Sequence, residues 1–83
     1  MGALRRYKMD LRNKLELSAI QHGIYSGAAF KHKKTGKKVF VSSLAICESD
    51  LSVMVLYIEK SGVIWVRPLK EFIDGRFEKI TDD

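Results

Sequence analysis

One cysteine, one proline and no long apolar run set the first limits on this sequence. With Cys47 alone, no disulfide can form within the chain, and a structural zinc site lacks the thiolates it ordinarily uses. A reducing, cytoplasmic setting is the expectation. Pro68 and six glycines are too few for a long flexible linker. No apolar stretch approaches the roughly 18 residues of a membrane span, so no membrane partner is expected. The N-terminal bases are not followed by the apolar core of a secretory signal. Gly2 precedes an arginine at position 6, where N-myristoylation wants serine or threonine.

Catalytic equipment is also scarce. Gly23, Gly27 and Gly36 are isolated, so no glycine-rich phosphate loop is present. His22 and His32 have no Asp or Cys partner at metal-ligand spacing, and no metal site is expected. Cys47 lies in a strand pattern with no evident base beside it and reads as a small buried hydrophobe. No pair of carboxylates sits in a catalytic frame. The reading is a non-enzymatic binding module with no cofactor.

What the chain does have is enough apolar residue for a fold and a biased charge. It carries 46% hydrophobic and 30% charged residues over 83 positions, which suits one small globular domain and argues against disorder. Residues 1–22 hold five bases against two acids, a net +3, and residues 31–38 hold five lysines and no acid. Residues 39–83 hold five bases against eight acids, a net −3. The whole excess of positive charge therefore lies in two segments of the first half, where a polyanion would be expected to bind.

Leu4, Tyr7, Leu11 and Leu15 recur at helical spacing and predict an amphipathic helix over residues 3–20, ended by His22-Gly23. Five strands are expected beyond it, over 28–33, 38–47, 51–59, 63–67 and 76–80, with a helical turn over 68–74 that turns Leu69, Phe72 and Ile73 inward. Turns fall at Lys34-Thr35-Gly36-Lys37, Glu48-Ser49-Asp50 and Lys60-Ser61-Gly62. In the second strand Val39, Val41 and Ala45 alternate with Phe40, Leu44 and Ile46. The unbroken apolar run from Val53 to Ile58 implies a strand covered on both faces. The expected fold is mainly β: a small SH3-like five-stranded barrel over 24–83, preceded by a basic amphipathic helix over 1–23.

The string Trp65-Val66-Arg67-Pro68-Leu69-Lys70-Glu71-Phe72 resembles the W-V-R-P-L-x-x-F hallmark of a small bacterial and phage family, domain of unknown function 1653. Phe30-Lys31-His32-Lys33-Lys34 is similar to its aromatic-His-Lys segment. Ala45, Glu48, Val55 and Tyr57 are similar to further positions of its pattern. The likeness spans residues 24–80. The chain departs from it by inserting Thr35-Gly36-Lys37 and by carrying the helix. The resemblance implies an SH3-like barrel and brings no activity with it.

Two constellations are candidate sites. Lys31, Lys33, Lys34, Lys37 and Lys38 concentrate positive charge on one hairpin and suit nucleic acid or nucleotide phosphates, with Arg5, Lys8 and Arg12 of the helix as an extension. Arg6 adds to the same helix charge. Trp65 and Arg67 share a strand face; with Tyr57 they could form a pocket that stacks a base and holds a phosphate. The competing expectation, and the preferred one, places Trp65 in the core and Arg67 on the backbone or on Glu71. The alternative function is a phage-encoded module that binds and modulates a host protein, with the helix stripe as a partner or oligomer surface.

Overall fold

The computed structural model describes the backbone of residues 2–81 and the side chains of residues 10–81. Helix α1 (Gly2–His22) leads into β1 (Ala29–His32), β2 (Lys38–Ile46), β3 (Val53–Glu59) and β4 (Ile64–Pro68). A single helical turn, α2 (Leu69–Glu71), a wide turn over Phe72–Arg76 and β5 (Phe77–Lys79) complete the chain. The strands form one antiparallel sheet in the order β4-β3-β2-β1-β5. β4 and β5 stand at its two edges, so the sheet is open and the expected ring of hydrogen bonds is not closed.

Helix α1 ends as its sequence predicts. Gly23 takes φ +63°, and the Ile24 amide donates to the Ala19 carbonyl at 3.0 Å. That is the six-to-one bond of a Schellman cap, and it drops Ile24 into the core. The helix lays Leu11, Leu15, Ser18 and Ala19 toward the body and leaves Leu17 and Ile20 in solvent. Leu4 and Tyr7 fall outside the residues whose side chains are described. The helix meets the body chiefly along β2, and Lys14 Nζ donates to the Leu51 carbonyl at 3.1 Å. The radius of gyration is 13.9 Å, against roughly 12 Å for a compact domain of this length. The long axis of 47 Å identifies the excess as the projecting helix.

The core is built from one face of the sheet. Phe30, Val39, Val41, Val53, Val55, Tyr57 and Phe77 point into it, joined by Ile24, Ala28 and Phe72. Phe72 stacks on Phe77 at 4.3 Å between ring centres and meets Phe30 edge-on at 4.9 Å. Tyr57 completes the aromatic cluster at 5.5 Å from Phe72 and 5.4 Å from Phe77.

Several local expectations need correcting. The register slips between Val41 and Ser43, and the bulge turns Leu44 onto the same face as Val39 and Val41, where it packs on the core. β3 is not covered on both faces: Val53, Val55 and Tyr57 are buried, while Met54, Leu56 and Ile58 are half-buried on the outer side. Beside them Phe40, Ile64 and Val66 are exposed. Ile73 faces solvent, because Gly75 at φ +107° breaks the helical turn just after it. Cys47 lies past the end of β2, is half-buried, and has its Sγ 3.2 Å from Ser49 Oγ.

Candidate functional site

Alternation along the strands decides which side chains can meet. Because Tyr57 points into the core, its neighbour across the ladder, Trp65, stands on that same concave side, as does Arg67 opposite Val55. Trp65 nevertheless remains 47% exposed. The expectation of a core tryptophan is therefore wrong. β4 is an edge strand, and the aromatic space beneath the sheet is already filled by Phe72 and Phe77, which leaves the indole at the rim.

The residue beneath it, Tyr57, is the buried member of the predicted trio. Together they bound an open cavity of about 180 Å³. Val39, Tyr57 and Phe77 form its apolar floor. His32, Thr35 and Lys37 of the hairpin rise on one side, with Trp65, Arg67 and Glu59 on the others. A second, broader depression of about 400 Å³ shares His32 and Arg67 with the first and adds Lys33, Lys34 and Arg76.

The hairpin is held in shape by its own hydrogen bonds. The His32 amide donates to the Lys37 carbonyl at 2.8 Å, and the Gly36 amide to the His32 carbonyl at 2.7 Å. Gly36 takes φ +74°, which glycine adopts at little cost. Thr35 Oγ1 lies 3.0 Å from His32 Nδ1 and accepts from the Lys37 amide at 3.3 Å. His32 also meets the edge of Phe77 at 4.9 Å, which fixes the ring at the junction of the two depressions.

Arg67 is anchored rather than free. Its Nη1 lies 3.2 Å from Glu71 Oε1, one of the two partners expected for it. Glu71 also receives Arg76 at 3.1 Å, and Arg76 pairs with Asp74 at 3.2 Å. The Arg67 pKa is raised above its ordinary value, first by hydrogen bonding to Tyr57, then by the nearby Tyr57 and Glu71 charges, with desolvation opposing. Nε is buried with no hydrogen-bond partner among the described residues. Two arginines balanced by two carboxylates leave the local positive charge to the lysines.

Those lysines are divided by the sheet. Lys33 and Lys34 border the broad depression and Lys37 the cavity. Lys31 and Lys38 face each other across the ladder on the outer side, because Phe30 and Val39 beside them point inward. Lys38 Nζ sits 5.2 Å over the ring of Phe40. Among the described residues none of the five makes a salt bridge. Arg12 is exposed and paired with Glu16 at 3.6 Å. Its helix packs near Ser42–Leu44, which six residues of extended strand put roughly 20 Å from Lys38. Arg5 and Lys8 lie outside the residues whose side chains are described.

The pocket therefore joins two predicted groups, the hairpin lysines and the Trp65–Arg67 face, that are separated by some thirty positions in the sequence. His32, Thr35, Val39, Glu59, Arg76 and Phe77 were missed as members. His32 had a readable signal: two residues after the core Phe30, it must share that face. Arg76 had none, since its position depends on the Gly75 kink. Among the described residues no group of His, Cys, Asp or Glu is arranged to hold a metal ion, and no helix is long and apolar enough to cross a membrane. Comparison with protein-family models, with curated proteins and with solved structures gives no match to this chain.

Proposed function

We propose that this protein is a small, non-catalytic module that binds nucleic acid or nucleotide phosphates through the concave face between the lysine hairpin and β4. The observation that carries the reading is a half-exposed Trp65 at the mouth of an apolar-floored cavity whose rim holds Lys37 and Arg67, with Lys33 and Lys34 in the adjoining depression. An aromatic face and unpaired ammonium groups are the two elements of a strand-binding groove. The strand order with its bulged β2 fits a partly open SH3-like barrel, which also accords with the resemblance to domain of unknown function 1653. A bacterial or phage origin and a cytoplasmic site of action belong to the same proposal. The test is fluorescence anisotropy with short labelled DNA and RNA across a salt series. Affinity should fall steeply as salt rises. Failure to bind any of them at low salt, even at roughly 10⁻⁴ M, removes nucleic acid from consideration.

One observation favours the second reading, a module that docks on a host protein and modulates it. Phe40, Leu56, Ile58, Ile64 and Val66 line the outer face of β2–β4, and Ile64 and Val66 are each 60% exposed. Docking of a host protein there would respond weakly to salt, in contrast to the steep salt dependence expected for nucleic acid.

A further inference from the structure

Resting on the nucleic-acid reading of this site, we propose that its preferred ligand is a single strand, with one unpaired base entering the cavity beside Trp65 and an adjacent phosphate settling between Lys33 and Lys34. The cavity and the broad depression meet at His32 and Arg67, so one ligand can occupy both. Their chemistry differs. The cavity has an apolar floor, and its one acid, Glu59, repels phosphate. The depression has no acid in its lining and two lysines without salt bridges among the described residues. An apolar ring therefore belongs in the first and an anion in the second.

Size gives the same assignment. An apolar cavity of roughly 150 Å³ accepts benzene, so about 180 Å³ admits one aromatic ring and excludes a base pair. In a duplex the base faces are already stacked on their neighbours and cannot stack on the rim indole and enter the cavity without unpairing, which costs a few kcal/mol. An unpaired base meets the indole without that cost, and such stacking is tolerant of sequence.

Trp65 is the only tryptophan in the chain, so its fluorescence reports directly on the cavity. The unmodified protein is titrated at low salt with three probes: a thymidine-only DNA strand, the same length of A·T duplex, and an abasic strand carrying the same phosphates. The expected result is quenching by the thymidine strand alone, with that strand bound about tenfold or more tighter than the abasic one. Trp65→Ala should remove this advantage, bringing the thymidine strand's affinity, read by anisotropy, down to that of the abasic strand. If all three probes bind equally and Trp65 emission does not respond, the single-strand inference is overturned and the broader reading of a phosphate-binding surface stands. If none binds, both are overturned. Comparing the thymidine and abasic strands on the unmodified protein decides the question even if the variant fails to fold.

Discussion

At the scale of single residues, Phe72 and Trp65 exchange the roles their sizes suggest. Phe72 is 1% exposed and touches Phe30, Tyr57 and Phe77. Phe72→Ala should cost about 3–5 kcal/mol, as a truncated buried aromatic does, and chemical denaturation would measure it. Trp65→Ala removes a side chain that already keeps nearly half its surface in water, and its expected cost is about 1–2 kcal/mol, below that range. A loss as large as that for Phe72 would return Trp65 to the core. The sequence pattern placed Trp65 and Arg67 on one face correctly, because alternation follows from the backbone alone. It could not say which aromatic is covered. That depends on what packs over the sheet, and the cover here is Phe72, delivered by a turn from beyond Pro68.

At the scale of elements, the segments most readable in the sequence are those with a stereochemical stop. Gly23 ends α1 with φ +63°, and a Cβ there would come within 2.6 Å of Lys79 Nζ, which itself donates to the Gly23 carbonyl at 3.0 Å. Gly23→Ala should therefore destabilise the protein by about 1 kcal/mol through the unfavourable φ, since the lysine tip can move aside. A melting temperature unchanged from the parent would show that the cap contributes nothing. The turn between β2 and β3 has a different device. Asp50 Oδ1 accepts from the Ser52 hydroxyl at 2.7 Å and the Ser52 amide at 3.0 Å, and these bonds, the hydroxyl first, lower its pKa from the usual 3.8. A depressed carboxylate pKa means the folded state holds its proton less tightly than the unfolded one. The stabilisation is thus present above pH 3.8 and is lost as pH falls through the folded value. Urea unfolding of the parent and of Asp50→Asn should show a gap at neutral pH that narrows in acid. The bulge at Ser42 had no such signature, because two serines on a solvent-facing stretch look the same in a straight strand. The misassignment of Leu44 follows from that one residue.

At the scale of the whole molecule, the question is whether net charge or its placement governs binding. The chain carries +5, and long-range attraction to a polyanion depends on that total. Local contact depends on the division made by the sheet, with Lys33, Lys34 and Lys37 on the concave side and Lys31 and Lys38 on the outer one. Sequence proximity suggested a single patch, since all five fall within eight positions; strand alternation separates them. Two triple variants with the same final charge distinguish the possibilities. Lys33, Lys34 and Lys37 are reversed to Glu in one; Lys31, Lys38 and Lys70 are reversed in the other. All six side chains are exposed, so both variants should fold, and thermal denaturation checks this. If placement governs, the first variant loses nucleic-acid binding, while the second keeps it with an affinity lowered only by the weaker long-range attraction. The salt dependence separates the two further. Each phosphate neutralised on a single strand contributes about 0.7 to the slope of log affinity against log salt. Conservative replacement of the three concave lysines by Gln should therefore reduce the slope by about 0.7 for each phosphate they hold, and replacement of the outer pair should leave it nearly unchanged. Equal losses in both triple variants would mean that the hairpin attracts polyanions only as a diffuse charge, with no phosphate held on the concave face.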